Sequence, residues 1–236
     1  KTLLVSFAMG AGANILLLFT KDIFFCYALF GSITTFATIP MMCLVGVMTA
    51  MSIDYNEYNP ETDNEIFSKY NKYNFIENKK INKRALQQEL GLEQDDNKFM
   101  IGIISRLTDQ KGVDLIAHVL EQIVDDYTQL VVLGTGDKGY EDMFRYFEWK
   151  LKGKVSGNIY FSNNRAHKIY AAADAMLVPS RFEPCGLTQL IALRYGTVPI
   201  VRETGGLKDT VVPYNQYNGV GNGFGFKNYS SNDLMY

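Results

Sequence analysis

Histidine and cysteine are scarce in this chain of 236 residues, which contains two histidines and three cysteines. The cysteines show no paired spacing, so the sequence predicts neither a disulfide framework nor a zinc site. Cys26 and Cys43 lie in apolar surroundings, and a reducing cytosol suits such thiols. An excess of charge is also lacking, because the formal net charge is −2. Since binding to a phosphate backbone requires clustered Lys and Arg, this balance argues against nucleic acid as the main partner.

The first 51 residues have little charge. Residues 2–20 and 23–51 are apolar stretches that only Lys21 and Asp22 separate. Each is long enough to cross a bilayer, which takes about 20 apolar residues, and both are too long for an ordinary secretory signal. A buried hairpin of a soluble protein is the alternative, but a soluble helix normally keeps one polar face. The composition therefore predicts a membrane hairpin.

From residue 99 onward, short apolar runs alternate with helical patterns. The runs are of strand length and occupy residues 99–104, 130–133, 159–161, 175–179 and 197–201. Helical spacing of apolar residues fills the intervals, at about 112–126, 139–151, 165–173 and 185–195. Such alternation predicts right-handed crossovers and a doubly wound parallel sheet of the α/β class. Ligands bind at the carboxyl edge of such a sheet, in the loops that follow its strands.

A lone carboxylate, Glu183, follows the fourth predicted strand and precedes a predicted helix. Pro184 fits the first turn of that helix, because its missing N–H would be unpaired there anyway. A carboxylate at the positive end of a helix gains about 0.3–1 kcal/mol from the helix dipole, so Glu183 can be a simple cap. Its place at the ligand edge equally allows a functional role. The residues alone leave both interpretations open.

Two cations lie in the loop after the first predicted strand. Arg106 and Lys111 flank a helix start at residues 110–112. Fixed cations beside free backbone N–H groups suit a diphosphate whose leaving oxygen gains charge. A pair of solvated surface cations is the alternative interpretation.

Two glycine turns follow other strands of the same sheet. Gly134, Thr135 and Gly136 come after the second strand and would let a backbone approach a ligand, although glycine also ends strands in ordinary turns. Residues 204–206 precede a short helical start at 207–212, whose N–H groups can face a phosphate or a sugar.

Six motifs stand in order along the chain: IDYNEYNPETD (53–63), ISRLTDQKGVDL (104–115), LGTG (133–136), RFEPCGLTQ (181–189), YGTVP (195–199) and TGGLKDTV (204–211). Together they resemble the donor-binding half of bacterial glycogen synthases and plant starch synthases, which are retaining glycosyltransferases that use ADP-glucose. The resemblance runs from about residue 53 to the end. It implies the Rossmann-like carboxyl-terminal lobe of a two-lobed enzyme.

The resemblance also implies roles for the residues of the ligand edge. Glu183 would hold the donor glucose near the reacting centre rather than act as a free general base, and Arg106 and Lys111 would stabilise the departing ADP. Phe161 stands where the family places an aromatic residue against the nucleotide base; a core phenylalanine that finishes a strand is the alternative. The other implied donor-binding residues are Gly134, Thr135, Gly136, Cys185, Gly186, Leu187, Thr188, Thr204, Gly205 and Gly206.

No Asp-x-Asp pattern accompanies these motifs. We therefore expect neither a metal nor another cofactor, because Arg106, Lys111 and helix ends would neutralise the diphosphate. Ile191 stands eight residues after Glu183, where many retaining enzymes of this architecture have a second Glu; the resembling synthases lack it too. Both histidines, His118 and His167, are predicted to be surface or packing residues.

Three segments are predicted. Residues 1–52 form the apolar, membrane-like segment, which is foreign to the resembling family; we expect an assembly or gene-model artefact, with a true fusion or an arbitrary fragment as alternatives. Residues 53–98 are expected to be mostly a solvated linker, with an inter-lobe helix over residues 83–91 that glycine stops. Residues 99–236 form the nucleotide-sugar-binding lobe, which we expect to end before the family's closing helices.

The resemblance implies a fragment of a glycogen or starch synthase, which transfers glucose from ADP-glucose to the non-reducing end of an α-1,4-glucan with retention. The expected partners are ADP-glucose and the glucan, with a membrane only if residues 1–52 are genuine, and the expected location is the cytoplasm. Two alternatives stay open: another retaining glycosyltransferase with a different nucleotide sugar, and a membrane-tethered nucleotide-sugar-binding module without catalysis.

Overall fold

A computed structural model of the protein describes residues 57–235. The predicted apolar hairpin of residues 1–52 lies outside this part of the chain. Within residues 57–235, no helix has the length and apolar character needed to cross a membrane.

Seven α-helices and six β-strands alternate along the described residues. They are α1 (Phe75–Leu90), β1 (Phe99–Ile104), α2 (Val113–Ile123), β2 (Thr128–Leu133), α3 (Lys138–Lys150), β3 (Val155–Asn158), α4 (Asn163–Ala172), β4 (Ala175–Val178), α5 (Thr188–Arg194), β5 (Val198–Arg202), α6 (Gly205–Thr210), β6 (Phe224–Phe226) and α7 (Ser231–Met235). A single 3-10 turn, Asp109–Lys111, precedes α2.

The six strands form one parallel sheet in the order β3-β2-β1-β4-β5-β6. The register of the central pair runs from Phe99 opposite Thr128 to Ile104 opposite Leu133. The chain moves outward from β1 in one direction and then from β4 in the other, so the loops after these two neighbours diverge and leave a crevice. The predicted α/β class and parallel sheet are confirmed.

Helices cover both faces of the sheet. Ile116 and Leu120 of α2, with Phe144 of α3, belong to the core on one face. Leu86 of α1 and Ile169 of α4 belong to the core on the other. Because both faces are covered, the strands are buried on two sides and read as continuous apolar runs in the sequence.

The third strand is the one that the sequence misplaces. It occupies Val155–Asn158, which pairs with β2, and not residues 159–161 as predicted. Residues 159–161 were predicted because they are more apolar. The strand itself has small residues, since α3 packs closely against it. A Cβ on Gly157 would lie 3.4 Å from the backbone oxygen of Phe144. The short strand β6 was not predicted either, since its three residues form no apolar run of strand length.

Residues 58–70 are packed against the lobe, so the expected solvated linker is wrong for this stretch. The ring of Tyr58 stacks on His167 with centroids 4.1 Å apart. Asp63 is 6% exposed, and its Oδ2 accepts hydrogen bonds from Nδ1 of His167 (2.8 Å) and the hydroxyl of Tyr195 (2.5 Å). Tyr70 is buried and donates to the carbonyl of Tyr195. Asp63 and Tyr70 are buried here because each meets a partner from the lobe.

Helix α1 also joins the lobe, through two buried lysines. It starts eight residues before the predicted helix and ends as predicted at Gly91, which has φ 67°. Nζ of Lys79 lies within 3.3 Å of three carbonyl oxygens and the hydroxyl of Thr197. Burial lowers the pKa of Lys79 to about 7, while these four oxygens favour its ammonium form. Nζ of Lys83 lies 2.6 Å from Oδ2 of Asp174.

Acid should expose the contribution of Asp63 to stability. Burial alone would raise the pKa of its carboxyl, but the hydrogen bonds from His167, Tyr195 and the N–H of Glu65 outweigh burial and lower the pKa below 3.8. A carboxyl with a lowered folded-state pKa stabilises the fold above its unfolded pKa and loses that contribution as the pH falls. We expect Asp63→Asn to lower the free energy of unfolding at pH 7 by about 1.5–3 kcal/mol.

The same substitution should flatten the pH dependence below pH 4. Urea unfolding at pH 7, 5, 4 and 3 measures both effects. Parallel curves for the wild type and Asp63→Asn would contradict the expected ionised carboxylate.

Candidate active site

Loops that follow β1, β2, β4 and β5 meet at the carboxyl edge of the sheet. They hold, or lead directly into, all the predicted site residues except Phe161, which lies between β3 and α4. The structure therefore brings residues from distant parts of the sequence to one edge. The crevice between the β1 and β4 loops lies at its centre.

Lys111 and Glu183 form an ion pair between the β1 and β4 loops. Nζ of Lys111 lies 2.5 Å from Oε2 of Glu183, and the two side chains are 20% and 13% exposed. The buried hydroxyl of Ser180 donates to the same oxygen at 3.2 Å. Charges interact more strongly in such a partly desolvated place than in water. The pair is therefore a firm link between the two loops, and its charges balance.

Glu183 does not cap a helix. Helix α5 begins at Thr188, is preceded by Leu187, and has no side-chain cap bond. The prediction that Pro184 lies in the first helical turn is wrong. Gly186 has φ 70°, and this left-handed residue keeps residues 184–187 out of the helix. Of the two interpretations that the sequence left open, the structure thus rejects the cap.

Arg106 lies apart from the ion pair. Its side chain is exposed, and Nη2 lies 3.3 Å from Oε1 of Gln110. Arg106 also lines a cavity of about 270 Å³, together with Tyr58, Gly134, Thr135 and Phe161 among others. The two predicted cations therefore face different parts of the edge: Lys111 the crevice, and Arg106 this cavity.

Phe161 is 91% exposed, so it is not a core phenylalanine. That alternative is wrong because β3 ends at Asn158, three residues earlier. The Phe161 ring stands at the wall of the 270 Å³ cavity. An exposed aromatic face in the same cavity as the guanidinium group of Arg106 suits a planar, polar ring such as a nucleobase.

The glycine turns are places where loops pack backbone against backbone. A Cβ on Gly134 would lie 1.8 Å from the carbonyl oxygen of Ser105, and one on Gly206 would lie 1.9 Å from that of Cys185. Gly136 and Gly205 have similar neighbours, at 2.2 Å and 2.1 Å. The close approach that the sequence predicts is therefore, first of all, an approach between loops.

The remaining predicted residues differ in their surroundings. Gly186 and Thr188 line a small cavity of about 20 Å³ beside the ion pair. Cys185 is an exposed free thiol, and neither it nor Leu187 lines this cavity. Thr204 precedes α6 without a side-chain cap bond.

Both histidines lie away from the edge chemistry. His118 is exposed on α2 and its Nδ1 lies 2.7 Å from the carbonyl oxygen of Asp114. His167 is buried against Asp63. They are thus a surface and a packing residue, as predicted.

Arg202 supports the Glu183 loop and was missed by the sequence reasoning. Its Nε donates to the carbonyl of Ser180 at 2.9 Å, and Nη2 donates to the carbonyl of Arg181. Predicting the fifth strand to end at Val201 left the next residue unassigned. A long cation at the carboxyl end of a buried strand was the available signal.

Tyr229 ties the chain after β6 to both central loops, and it was missed too. Its hydroxyl donates to the carboxylate of Asp114 and lies 2.9 Å from the carbonyl oxygen of Asp109. The guanidinium groups of Arg181 and Arg202 lie 4.6 Å and 5.6 Å from its ring centroid. Burial and Asp114 raise the pKa of Tyr229 to about 12, so it stays a donor at neutral pH.

Within residues 57–235, no three His, Cys, Asp or Glu side chains are grouped so that they could hold a metal ion.

Comparison with known proteins identifies the family to which the chain is similar. The profile of the family described as "Glycosyl transferases group 1" matches residues 83–235. Glycogen synthase from Lachnospira eligens is 61% identical over 183 residues, which are 78% of this chain and 38% of that protein. Glycogen synthase from Lachnoclostridium phytofermentans is 59% identical over 194 residues, 82% of this chain and 40% of that protein. The chain thus spans about two-fifths of the length of these relatives.

A solved structure shows the same fold. The catalytic domain of starch synthase IV from Arabidopsis thaliana, bound to ADP and acarbose, matches with a TM-score of 0.72 and 36% identity. The match covers 78% of this chain and 38% of that one. The resemblance predicted from the six motifs is confirmed.

Proposed function

This chain belongs to the group 1 glycosyltransferase family, and from that premise we propose that it is the donor-binding lobe of a glycogen synthase. The observation that carries the proposal is the Lys111–Glu183 pair, 2.5 Å apart at the point where the strand order reverses. A cation suited to a diphosphate lies there beside a carboxylate suited to a sugar hydroxyl, and this supports the proposal. The lobe around it is 61% identical to a glycogen synthase.

The proposed donor is ADP-glucose and the proposed acceptor is the non-reducing end of glycogen or another α-1,4-glucan. A chain-end hydroxyl oxygen replaces the ADP oxygen at the anomeric carbon of glucose with retention. The bond from that carbon to the ADP oxygen breaks, and the hydroxyl proton passes to the departing diphosphate. Lys111 and Arg106 offset the negative charge that grows on the departing ADP. Glu183 accepts a hydrogen bond from the glucose and holds it in place.

The other predicted residues surround this donor. Phe161 and the 270 Å³ cavity receive the base, next to the turn of Gly134, Thr135 and Gly136. Two further segments, residues 185–188 and 204–206, lie on the phosphate and sugar side. Neither a metal nor another cofactor is part of this proposal, because the side chains supply the counter-charge. The expected setting is the cytoplasm.

The proposal divides the work between this lobe and the rest of a longer enzyme. The chain spans about two-fifths of its relatives, and we propose that most of the acceptor site lies in the remainder. We expect this chain alone to bind ADP-glucose weakly and to transfer little glucose.

Titration calorimetry with ADP, ADP-glucose and UDP-glucose tests the donor, and ADP release in the presence of glycogen tests the transfer. Preference for ADP-glucose over UDP-glucose is the expected result. A preference for UDP-glucose would instead indicate a glycosyltransferase of another specificity. Vigorous glycogen-dependent turnover by this chain alone would contradict the proposed division between the lobes.

Phe161 offers a prediction that separates binding from stability. Stacking of a base on an aromatic side chain contributes about 1–3 kcal/mol, as alanine substitution measures it, so Phe161→Ala should weaken ADP binding about 5- to 150-fold. Since the ring is 91% exposed, the melting temperature should not change. Tyr217→Ala is the matched control, because Tyr217 is 90% exposed and lies outside the cavity. If Phe161→Ala and Tyr217→Ala bound ADP with equal affinity, the assignment of Phe161 to the ADP site would be wrong.

A further inference from the structure

Helix α3 has aromatic side chains on two of its faces. Phe144 and Phe147 belong to the core on one face of the sheet. Tyr146 and Trp149 stand on another face of the helix and are 50% and 76% exposed. Trp149 is the only tryptophan of the chain. Because tryptophan is highly buried on average, an indole ring exposed to this degree calls for an explanation.

The two exposed rings form one surface with an ion pair beside them. The ring centroids of Tyr146 and Trp149 lie 6.0 Å apart, and the ring planes are inclined by 40°. Asp142 and Arg145 precede the two aromatic residues by four positions each, so they share the same face of the helix. Nη1 of Arg145 lies 2.9 Å from Oδ1 of Asp142, and both side chains are at least half exposed. We call these four residues the α3 patch.

The α3 patch lies away from the candidate active site. Helix α3 begins at Lys138, after β2 and its carboxyl-edge loop, and ends at Lys150, before β3. With a rise of about 1.5 Å per residue, Trp149 lies about 16 Å along the helix from its start. None of the four patch residues lines either cavity of the carboxyl edge. A ligand on the patch therefore does not compete with a nucleotide sugar at that edge.

The chemistry of the α3 patch suits a sugar. The face of an aromatic ring is negatively polarised and attracts the C–H groups on the flat side of a pyranose. The indole N–H and the guanidinium of Arg145 can donate to sugar hydroxyls, and the carboxylate of Asp142 can accept from them. A protein partner fits less well. A stable protein interface covers about 800 Å² on each side, whereas two aromatic side chains offer only about 150–250 Å² each.

The inclination of the two rings distinguishes between kinds of glucan. Successive units of an α-1,4-glucan are turned relative to each other, so the chain curves, whereas a β-1,4-glucan is a flat ribbon. Rings inclined by 40° suit the curved chain. We infer that the α3 patch is a second glucan-binding site, at which an α-1,4-glucan stacks on Tyr146 and Trp149. The inference rests on the proposed function, because that function makes such a glucan the acceptor.

A second site is useful to an enzyme that extends a branched polymer. A branch held on the α3 patch raises the effective concentration of neighbouring chain ends at the active site. The patch takes no part in the transfer itself. Substitutions in it should therefore leave the affinities for ADP and ADP-glucose unchanged, as calorimetry measures them.

The single tryptophan allows a direct test, because selectively excited tryptophan fluorescence of the full chain reports on Trp149 alone. We expect maltohexaose to change this fluorescence to saturation, with or without saturating ADP. Cellohexaose, the β-1,4-linked hexamer, should have no effect. Tyr146→Ala keeps the reporter and should weaken maltohexaose binding about 5- to 10-fold.

Tyr73→Ala is the matched control. Tyr73 is 85% exposed and lies just before α1, which covers the other face of the sheet, so this variant should bind maltohexaose as the wild type does. Trp149→Ala removes the reporter, and co-sedimentation with glycogen should show that it binds less glycogen than Tyr73→Ala.

The outcomes separate this inference from the proposed function. A chain that binds ADP-glucose but shows no fluorescence change with maltohexaose would overturn the inference alone. Equal responses to maltohexaose and cellohexaose would overturn it too, and so would equal maltohexaose affinities in Tyr146→Ala and Tyr73→Ala. Failure of the wild type to bind ADP and ADP-glucose would instead overturn the proposed function, whereas a saturable response to maltohexaose alone would still support the α3 patch as a glucan site.

Discussion

Replacing Lys111 with methionine should lower the affinity of the chain for ADP by about 10- to 150-fold, the loss expected when a charged donor to a phosphate oxygen is removed. The ammonium group lies in a crevice where it is 20% exposed, so solvent screens it little. Titration calorimetry at low ionic strength measures the loss, and added salt should weaken the wild type more than Lys111→Met.

Lys150→Met is the control for this loss. Lys150 also pairs with a carboxylate, Glu121, at 2.6 Å, but it is the last residue of α3 and lines neither of the two cavities at the carboxyl edge. We expect its ADP affinity to match the wild type. Equal losses in the two lysine variants would show that general charge, and not the position of Lys111, governs binding.

Glu183→Gln completes the comparison, because Glu183 shares its partner with the ligand. Without the carboxylate, Lys111 is free to pair with a phosphate, so ADP should bind slightly tighter than in the wild type. The affinity for ADP-glucose should rise less, because the variant lacks the carboxylate that holds the sugar. A parallel weakening of both ligands would contradict the assignment of Glu183 to the sugar.

Gly206→Ala should destabilise the lobe by about 3 kcal/mol and abolish the binding of ADP-glucose. A Cβ at this position would lie 1.9 Å from the carbonyl oxygen of Cys185, which is backbone and cannot rotate away. The loop must therefore move, and the hydrogen bond from the N–H of Gly206 to the carbonyl of Glu183 at 3.0 Å is lost with it. Thermal and urea unfolding measure the first effect, and calorimetry the second.

Gly139→Ala is the matched glycine control. Gly139 lies in helix α3, and no atom lies within 4 Å of the place where its Cβ would be. Alanine is the better helix former, so this variant should be stabilised by about 0.5–1 kcal/mol. Destabilisation of both variants by similar amounts would mean that contact with the Cys185 carbonyl is not the cause.

Four of the six strands could be predicted from the sequence because strands buried on both faces are continuous apolar runs. β1 was predicted with its observed bounds, Phe99–Ile104. β3 lies at the edge and has the sequence VSGN, in which small residues admit α3, so no apolar run marks it. The spacing of apolar residues predicts which strands are buried. It does not predict a strand whose residues are small because a helix packs closely against it.

Site residues that stand in long sequence motifs could be predicted. Residues whose position depends on contacts with distant parts of the chain could not. Glu183 and Lys111 stand in long motifs, and the structure brings them together. Asp63 and Lys79 look like solvated residues in the sequence, because their burial depends on partners about a hundred residues away. Tyr229 likewise acquires its place only through Asp114 and the two arginines around its ring.

The tight packing of the turn after β5 against the turn after β4 makes one rigid body out of two loops. Gly205 and Gly206 leave no gap between the two backbones, so neither loop can shift without pushing or pulling the other. A ligand group that displaces residues 204–206 therefore also displaces the carboxylate of Glu183. We therefore expect a group bound at residues 204–206 to change the position of the Glu183 carboxylate without a hinge or a separate moving part.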